Sequence, residues 1–274
     1  MKITLRDFAI GGGAPLVLFA GPCVVESRDL VFRVAEQVKT SSQRHKIPAV
    51  FKSSYKKANR TSAKGFVGIG IDEALGFLAE VKKEFDLPIM TDIHTEVEAS
   101  VAAQVADVLQ IPAFLCRQTE LLQAAGKTGR IVNIKKGQFA APEDMKFAAE
   151  KVAESGNSNV LLTERGTTFG YHDLVVDMRS LKIMSELGYP VILDATHAVQ
   201  RPSGNAQKGE SAGNPEFIFP IARAGVAAGC DGLFVEVHPD PAQALSDSAS
   251  QLNLGLLDEL LRQVNSIDHL VREF

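Results

Sequence analysis

Tryptophan is absent, cysteine occurs three times, and aromatic residues make up only 7% of this 274-residue chain. The odd, sparse set Cys23, Cys116 and Cys230 argues against a disulfide framework and fits a reducing compartment. Long apolar runs are also missing: every hydrophobic stretch is strand-sized and broken by Gly, Pro or charge, short of the roughly 20 residues that span a bilayer. The N-terminal segment lacks the apolar core of a secretion signal, so a cytoplasmic location with no membrane partner is expected. Positive charge is not in excess. With 29 Lys and Arg against 33 Asp and Glu, the net charge of -4 gives no sign of a nucleic-acid surface, and any cationic function must be local. A dinucleotide-binding signature is lacking too, because VGIGIDEAL holds only G-x-G and follows a basic loop.

What is present is a repeat of strand and helix. Short apolar runs lie near 16–22, 48–53, 88–93, 107–112, 130–135, 159–164, 190–195 and 232–237, and each is followed by an amphipathic helical pattern such as SRDLVFRVAEQVKTSSQ or LGLLDELLRQVNSID. Runs apolar on both faces suit parallel strands covered on both sides. No composition break marks a linker. The expectation is an α/β fold, a single-domain (β/α)8 TIM barrel over 1–274, in preference to an open doubly wound sheet. Residues 1–15, with Gly11, Gly12 and Gly13 as a turn, are expected to form a hairpin plugging the barrel bottom. RPSGNAQKGESAGN, at 201–214, reads as a mobile loop over the mouth.

The runs end at or beside residues able to do chemistry: Cys23, Lys52, Asp92, Ala113, Lys135, Arg165, His197 and Glu236. A barrel brings the C-terminal ends of its strands to one mouth, so these residues would share a pocket suited to an anionic substrate. A basic loop, FKSSYKKANRTSAKGF, adds Lys56, Lys57, Arg60 and Lys64; taken alone it reads as a solvated charge run, but Lys52 stands at a strand end, as do Lys135 and Arg165. Three converging cations can hold a phosphate and a carboxylate together. Facing the mouth rather than the core, Lys135 and Arg165 are expected to matter little for stability. Cys23, His197, Glu236 and Asp247 come from strand one, strand seven, strand eight and the loop beyond it, and offer donors for a divalent transition metal; each also has a plain structural explanation.

In order along the chain, AGPCVVES, FKSSYKKANRTS, TDIH, QIPAFLCRQT, VNIKKGQF, TERGTTFGYHDLVVDMRS, DATHAVQ, FVEVHPDP and ALSDSASQL resemble the 3-deoxy-D-manno-octulosonate 8-phosphate synthase family, also called 2-dehydro-3-deoxyphosphooctonate aldolase. The resemblance covers nearly the whole chain. It implies a cytoplasmic barrel enzyme, usually a homotetramer, that condenses phosphoenolpyruvate with D-arabinose 5-phosphate and releases phosphate, for the inner core of lipopolysaccharide. It also implies roles. Lys52, Lys57, Lys135 and Arg165 hold phosphoenolpyruvate, with Ser54, the Ala113 backbone and Gln138 nearby. Asn59 and Asp92 read sugar hydroxyls, and Arg60 and Thr61 reach the phosphate of a sugar in an adjacent subunit. Lys57, His197 and Asp247 are candidates for proton transfer. The family has a metal-dependent class with Cys at the position of Cys23 and a metal-independent class with Asn there, so one divalent ion per subunit (zinc, iron, manganese or similar) is implied on Cys23, His197, Glu236 and Asp247.

The chain departs from the family pattern at Val67, where an Arg is usual, at Lys56, which often is Asp, and at Pro215, where an Arg commonly stands. The nearest alternative is the heptulosonate 7-phosphate synthase that uses erythrose 4-phosphate. That relative typically has Lys-Pro-Arg where this chain has Lys57, Ala58, Asn59 and Arg60. A Schiff-base lyase would need a lysine on strand six, which here ends Thr163, Glu164, Arg165. A non-catalytic binding barrel is the third reading.

Overall fold

In the computed structural model, residues 1–58, 65–205 and 210–274 are described. The chain opens with β1 (Lys2–Leu5) and β2 (Phe8–Gly11), then β3 (Val17–Gly21), α1 (Arg28–His45), β4 (Ala49–Lys52), α2 (Ile71–Glu84), β5 (Ile89–Asp92), α3 (Glu96–Ala102), β6 (Val108–Ile111) and α4 (Thr119–Lys127). It continues with β7 (Ile131–Lys135), α5 (Met145–Ala153), β8 (Val160–Glu164), β9 (Thr167–Gly170), β10 (Asp173–Val175), α6 (Arg179–Glu186) and β11 (Val191–Asp194). The remainder is β12 (Gln200–Asn205), β13 (Glu210–Gly213), α7 (Ile218–Ala227), β14 (Gly232–His238), β15 (Leu252–Asn253) and α8 (Leu257–Val271). Strands β3, β4, β5, β6, β7, β8, β11 and β14 pair in parallel, and the β14–β3 and β11–β14 pairings close them into a (β/α)8 barrel.

Period-two alternation sorts the strand residues. Leu18, Ala20, Phe51, Ile89, Leu109, Val132, Leu162 and Leu193 point outward and bury against the helices. Val17, Phe19, Val50, Met90, Val108, Ile131, Leu161, Ile192 and Phe234 fill the barrel interior. The helices supply the matching stripe. On α1, Ser27 caps the first turn by accepting from the Leu30 N–H, Val31, Val34, Ala35 and Val38 are buried at helical spacing, and Lys46 ends the helix at φ 55°. Each such fully buried Val contributes about 1.5–3 kcal/mol before entropy is counted.

Ile3, Leu5 and Ile10 of the β1–β2 hairpin pack into the interior cluster, so the hairpin does plug the bottom. Its turn, however, is Arg6–Asp7, with Arg6 at φ 52°; Gly11, Gly12 and Gly13 follow the hairpin and lead into the barrel. Residues 201–214 also differ from the expected loop: β12 and β13 pair antiparallel there, with 206–209 outside the described residues. A second hairpin, β9–β10, stands after β8 where no strands were expected; its turn places Tyr171 and His172 at positive φ. Pro142 opens a 3-10 turn, Pro142–Asp144, that leads into α5.

Candidate active site

The inward parity that places Val50 and Met90 in the core places the next inward residue of each strand at the mouth, and those residues are polar. Lys52, Asp92, Gln110, Asn133, Lys135, Thr163, Asp194 and Glu236 are all buried above the apolar layer. A hydrogen-bond chain crosses this floor: Thr163 Oγ1 donates to Asn133 (2.7 Å), Asn133 Nδ2 to Gln110 (3.1 Å), and Gln110 Nε2 to Asp92 (2.6 Å). Buried polar groups paired in this way avoid the desolvation penalty of an unmade bond and fix one another's rotamers. Close approach is needed where β3 meets β4, since a Cβ on Gly21 would lie 2.0 Å from the Lys52 carbonyl.

Four cations meet here. Lys52 Nζ lies 3.0 Å from Glu236 Oε1 and 3.7 Å from Asp92 Oδ1, and both Lys52 and Lys57 donate to Ser54 Oγ, which in turn donates to Asp92. Lys135 pairs with Asp194 and sits 3.9 Å above the centre of the Phe234 ring. Arg165 Nη2 donates to Gln200 Oε1 at 3.1 Å, while its Nη1 is buried without a partner, as is Gln138 Oε1. Burial alone would raise the Asp92 and Glu236 carboxyls; Lys52 and Lys57 on Asp92, and His197 and Lys52 on Glu236, hold both well below the carboxylate range. Burial likewise opposes charge on Lys57, but Cys23, Glu236 and Asp247 outweigh it and raise its pKa. Lys135 is the opposite case: burial prevails and lowers it despite Asp194. Ala113 stands in a 3-10 turn just after β6, at the rim.

Cys23 Sγ and the carboxylates of Glu236 and Asp247 lie within 4.8 Å of one another. His197 approaches from one side, its Nε2 3.8 Å from Glu236 Oε1 and 3.9 Å from Asp247 Oδ2. Its Nδ1 is 2.8 Å from Asp194 Oδ2, a contact that places a proton on Nδ1 and turns Nε2 toward the two carboxylates. Glu236 Oε2 is buried with no partner, and burial first, then Glu236 and Asp247, pushes the Cys23 thiol up. An orphaned carboxylate oxygen, a crowded thiol and an oriented imidazole fit a divalent cation in their midst.

Of the residues expected at the site, Cys23, Lys52, Ser54, Lys57, Asp92, Ala113, Lys135, Gln138, Arg165, His197, Glu236 and Asp247 gather at this mouth. Asn59, Arg60 and Thr61 lie outside the described residues. Lys56 is tied to Glu98, which also accepts from Tyr55 and from the His94 backbone, and Val67 contributes its carbonyl to the Lys57 N–H. Pro215 begins a 3-10 turn ahead of α7. His238 is engaged with the Asp240 N–H and stands 3.9 Å from Glu26. Asp194 and Gln200 were missed as site residues. Inward parity from Ile192 would have found Asp194; nothing local marks Gln200, whose Nε2 donates to Asp247.

Fold and pocket together define a barrel enzyme for multiply charged anionic substrates. The chain belongs to the DAHP synthetase I family, whose model matches residues 1–273. It is similar to proteins named 2-dehydro-3-deoxyphosphooctonate aldolase: 51% identical to that of Trichlorobacter lovleyi over 99% of both chains, 48% identical to that of Protochlamydia amoebophila over 99% of this chain and 98% of the relative, and 50% identical to that of Brucella anthropi over 99% and 97%. The motif resemblance therefore holds.

Proposed function

We propose that this chain condenses phosphoenolpyruvate with D-arabinose 5-phosphate and water to give 3-deoxy-D-manno-octulosonate 8-phosphate and phosphate, in lipopolysaccharide inner-core synthesis. The observation that carries the reading is the buried, unpartnered Nη1 of Arg165 in a mouth shared with Lys52, Lys57 and Lys135: a guanidinium edge kept dry and open is an anion subsite. In the reaction, C3 of phosphoenolpyruvate attacks the sugar aldehyde, whose oxygen takes a proton. Water adds at C2 and loses a proton, and the C2–O bond breaks to release phosphate. Lys135, Arg165 and Lys52 hold the carboxylate and phosphate, with Gln138 and the Ala113 backbone beside them. Lys57, held protonated, supplies charge or a proton at the aldehyde oxygen, and Asp247 and His197 take up the proton of water. Ser54 spaces the two lysines, and Asp92 reads sugar hydroxyls.

Cys23, His197, Glu236 and Asp247 would hold one divalent transition metal ion, which when bound supplies Lewis acidity. Asn59, Arg60 and Thr61 complete the sugar side by resemblance, Arg60 and Thr61 from an adjacent subunit. The chain acts as one catalytic domain in a cytoplasmic homotetramer. Exposed Phe114, Phe139, Phe169 and Tyr171 support such an assembly, since they follow the ends of β6, β7 and β8 around the mouth. No helix among the described residues is long and apolar enough to cross a membrane. The test is phosphate release from phosphoenolpyruvate with arabinose 5-phosphate, erythrose 4-phosphate or ribose 5-phosphate, before and after chelation. Preference for erythrose 4-phosphate would overturn the assignment in favour of the heptulosonate reaction.

A further inference from the structure

Behind the wall formed by β7 and β8 lies a buried ion pair that this chemistry does not use. Lys136 Nζ and Glu164 Oε1 are 3.6 Å apart, with side chains no more than 1% exposed. Lys136 follows Lys135 and Glu164 precedes Arg165, so parity turns this pair away from the pocket while its neighbours in sequence face it. Their other bonds go mainly to the turns beyond the strands. Glu164 Oε1 accepts from the Arg165 N–H (3.0 Å) and the Gly166 N–H (2.7 Å), and Oε2 accepts from the Ser180 hydroxyl on α6 (2.7 Å). Lys136 Nζ donates to the Gly137 carbonyl (3.4 Å), the Ala140 carbonyl (3.3 Å) and Thr167 Oγ1 (2.9 Å). One group thus pins the turn that carries Arg165, the other pins the turn that carries Gln138, and their attraction ties the two turns together.

We infer that Lys136 and Glu164 are positioning residues for the enolpyruvyl phosphate subsite, holding Lys135, Gln138 and Arg165 at the spacing that a carboxylate and a phosphate require. The inference rests on the function proposed above. Its physical reason is spacing: Lys135 ends β7 and Arg165 follows the end of the paired strand β8, and the turns beyond those ends fix how far apart Lys135, Gln138 and Arg165 lie. A buried cross-tie outside the pocket holds those turns together without competing for the anion, and so preorganises the site.

The test uses Glu164→Gln, which keeps an acceptor but removes the charge, Lys136→Met, and the milder Ser180→Ala, which removes one bond to Glu164 and leaves every charge in place. Phosphoenolpyruvate binding is measured by calorimetry without sugar, and both KM values by phosphate release, alongside circular dichroism. Because small misplacement of reacting groups is costly, the KM and Kd for phosphoenolpyruvate are expected to rise about tenfold in Glu164→Gln and Lys136→Met, and about threefold in Ser180→Ala. The KM for arabinose 5-phosphate should stay within about twofold. Where either charge variant fails to fold, Ser180→Ala decides. Equal rises in both KM values, or unchanged phosphoenolpyruvate binding in the folded variants, would overturn the inference alone. Wild-type protein that binds no phosphoenolpyruvate would overturn the function and the inference together.

Discussion

Replacing Asp194 by Asn keeps its shape and removes one buried charge. In the wild-type chain its Oδ2 faces both Lys135 and the Nδ1 of His197, and its Oδ1 accepts from the Thr196 N–H, the Thr196 hydroxyl and the His197 N–H. After substitution the ammonium of Lys135 loses the carboxylate it pairs with and keeps the Phe234 ring at 3.9 Å and the His197 Nδ1 at 3.3 Å, with only Glu236 still acting to favour its charge. Breaking one side of a buried pair costs about 3–5 kcal/mol. For a chain of this length, a Tm loss of roughly 10 °C follows at about 2–4 °C per kcal/mol. The amide also presents a donor or an acceptor to Nδ1 with equal ease, so the Nδ1 bond that orients the ring is no longer specified, and turnover should fall by about 10² or more. Adding Lys135→Met to Asp194→Asn removes the stranded charge, so the double variant should recover most of the stability and none of the activity. Thermal and urea denaturation with phosphate-release kinetics on the four proteins complete the cycle. An Asp194→Asn protein within about 1 kcal/mol of wild type, or a double variant no more stable than it, would refute the reasoning. Lys135, expected from its place at the mouth to matter little for stability, makes a pair with Asp194 that is as buried as the core.

Arg165→Met should weaken phosphoenolpyruvate by about 2–5 kcal/mol, read as KM and Kd, because a dry guanidinium facing a multiply charged ligand is lost; unaltered affinity would place the anion elsewhere. Cys23→Ser should lower the metal retained after dialysis, measured by elemental analysis, since a hydroxyl is a poorer ligand than a thiolate; equal retention would remove Cys23 from the ligand set. Glu98 is held down at about 2: burial opposes its charge, and the bonds from Lys56, Tyr55 and the His94 backbone prevail. Its folded pKa is below its unfolded value of about 4.3, so its contribution is present above that value and is lost as pH falls toward 2. The urea-midpoint gap between wild type and Glu98→Gln should therefore be wide at pH 7 and narrow at pH 3, and a gap constant with pH would count against the Glu98 network.

Much of the architecture was legible because strand and helix have different periods. The apolar runs near 16–22, 107–112 and 159–164 fall within a residue or two of Val17–Gly21, Val108–Ile111 and Val160–Glu164, and the helix stripes coincide with the buried faces of α1 and α8. Strand-end chemistry was legible for the same reason, since a barrel delivers every strand end to one mouth. Short hairpins were not: β9–β10 depends on Tyr171 and His172 adopting positive φ, which neither residue type announces.

The sequence by itself determined the barrel, the family and the roster of candidate groups, because periodicity and ordered motifs are local properties of the chain. Only the tertiary structure decided the partnerships. Lys135 meets Asp194 across 59 positions, Lys52 meets Glu236 across 184, and Cys23 meets Asp247 across 224. Which charge neutralises which, and which oxygen or guanidinium nitrogen is left bare for a ligand, depends on distances between strands. Those distances are set by closure of the barrel, through the pairing of β14 with β3 and with β11, and no local stretch of residues encodes them.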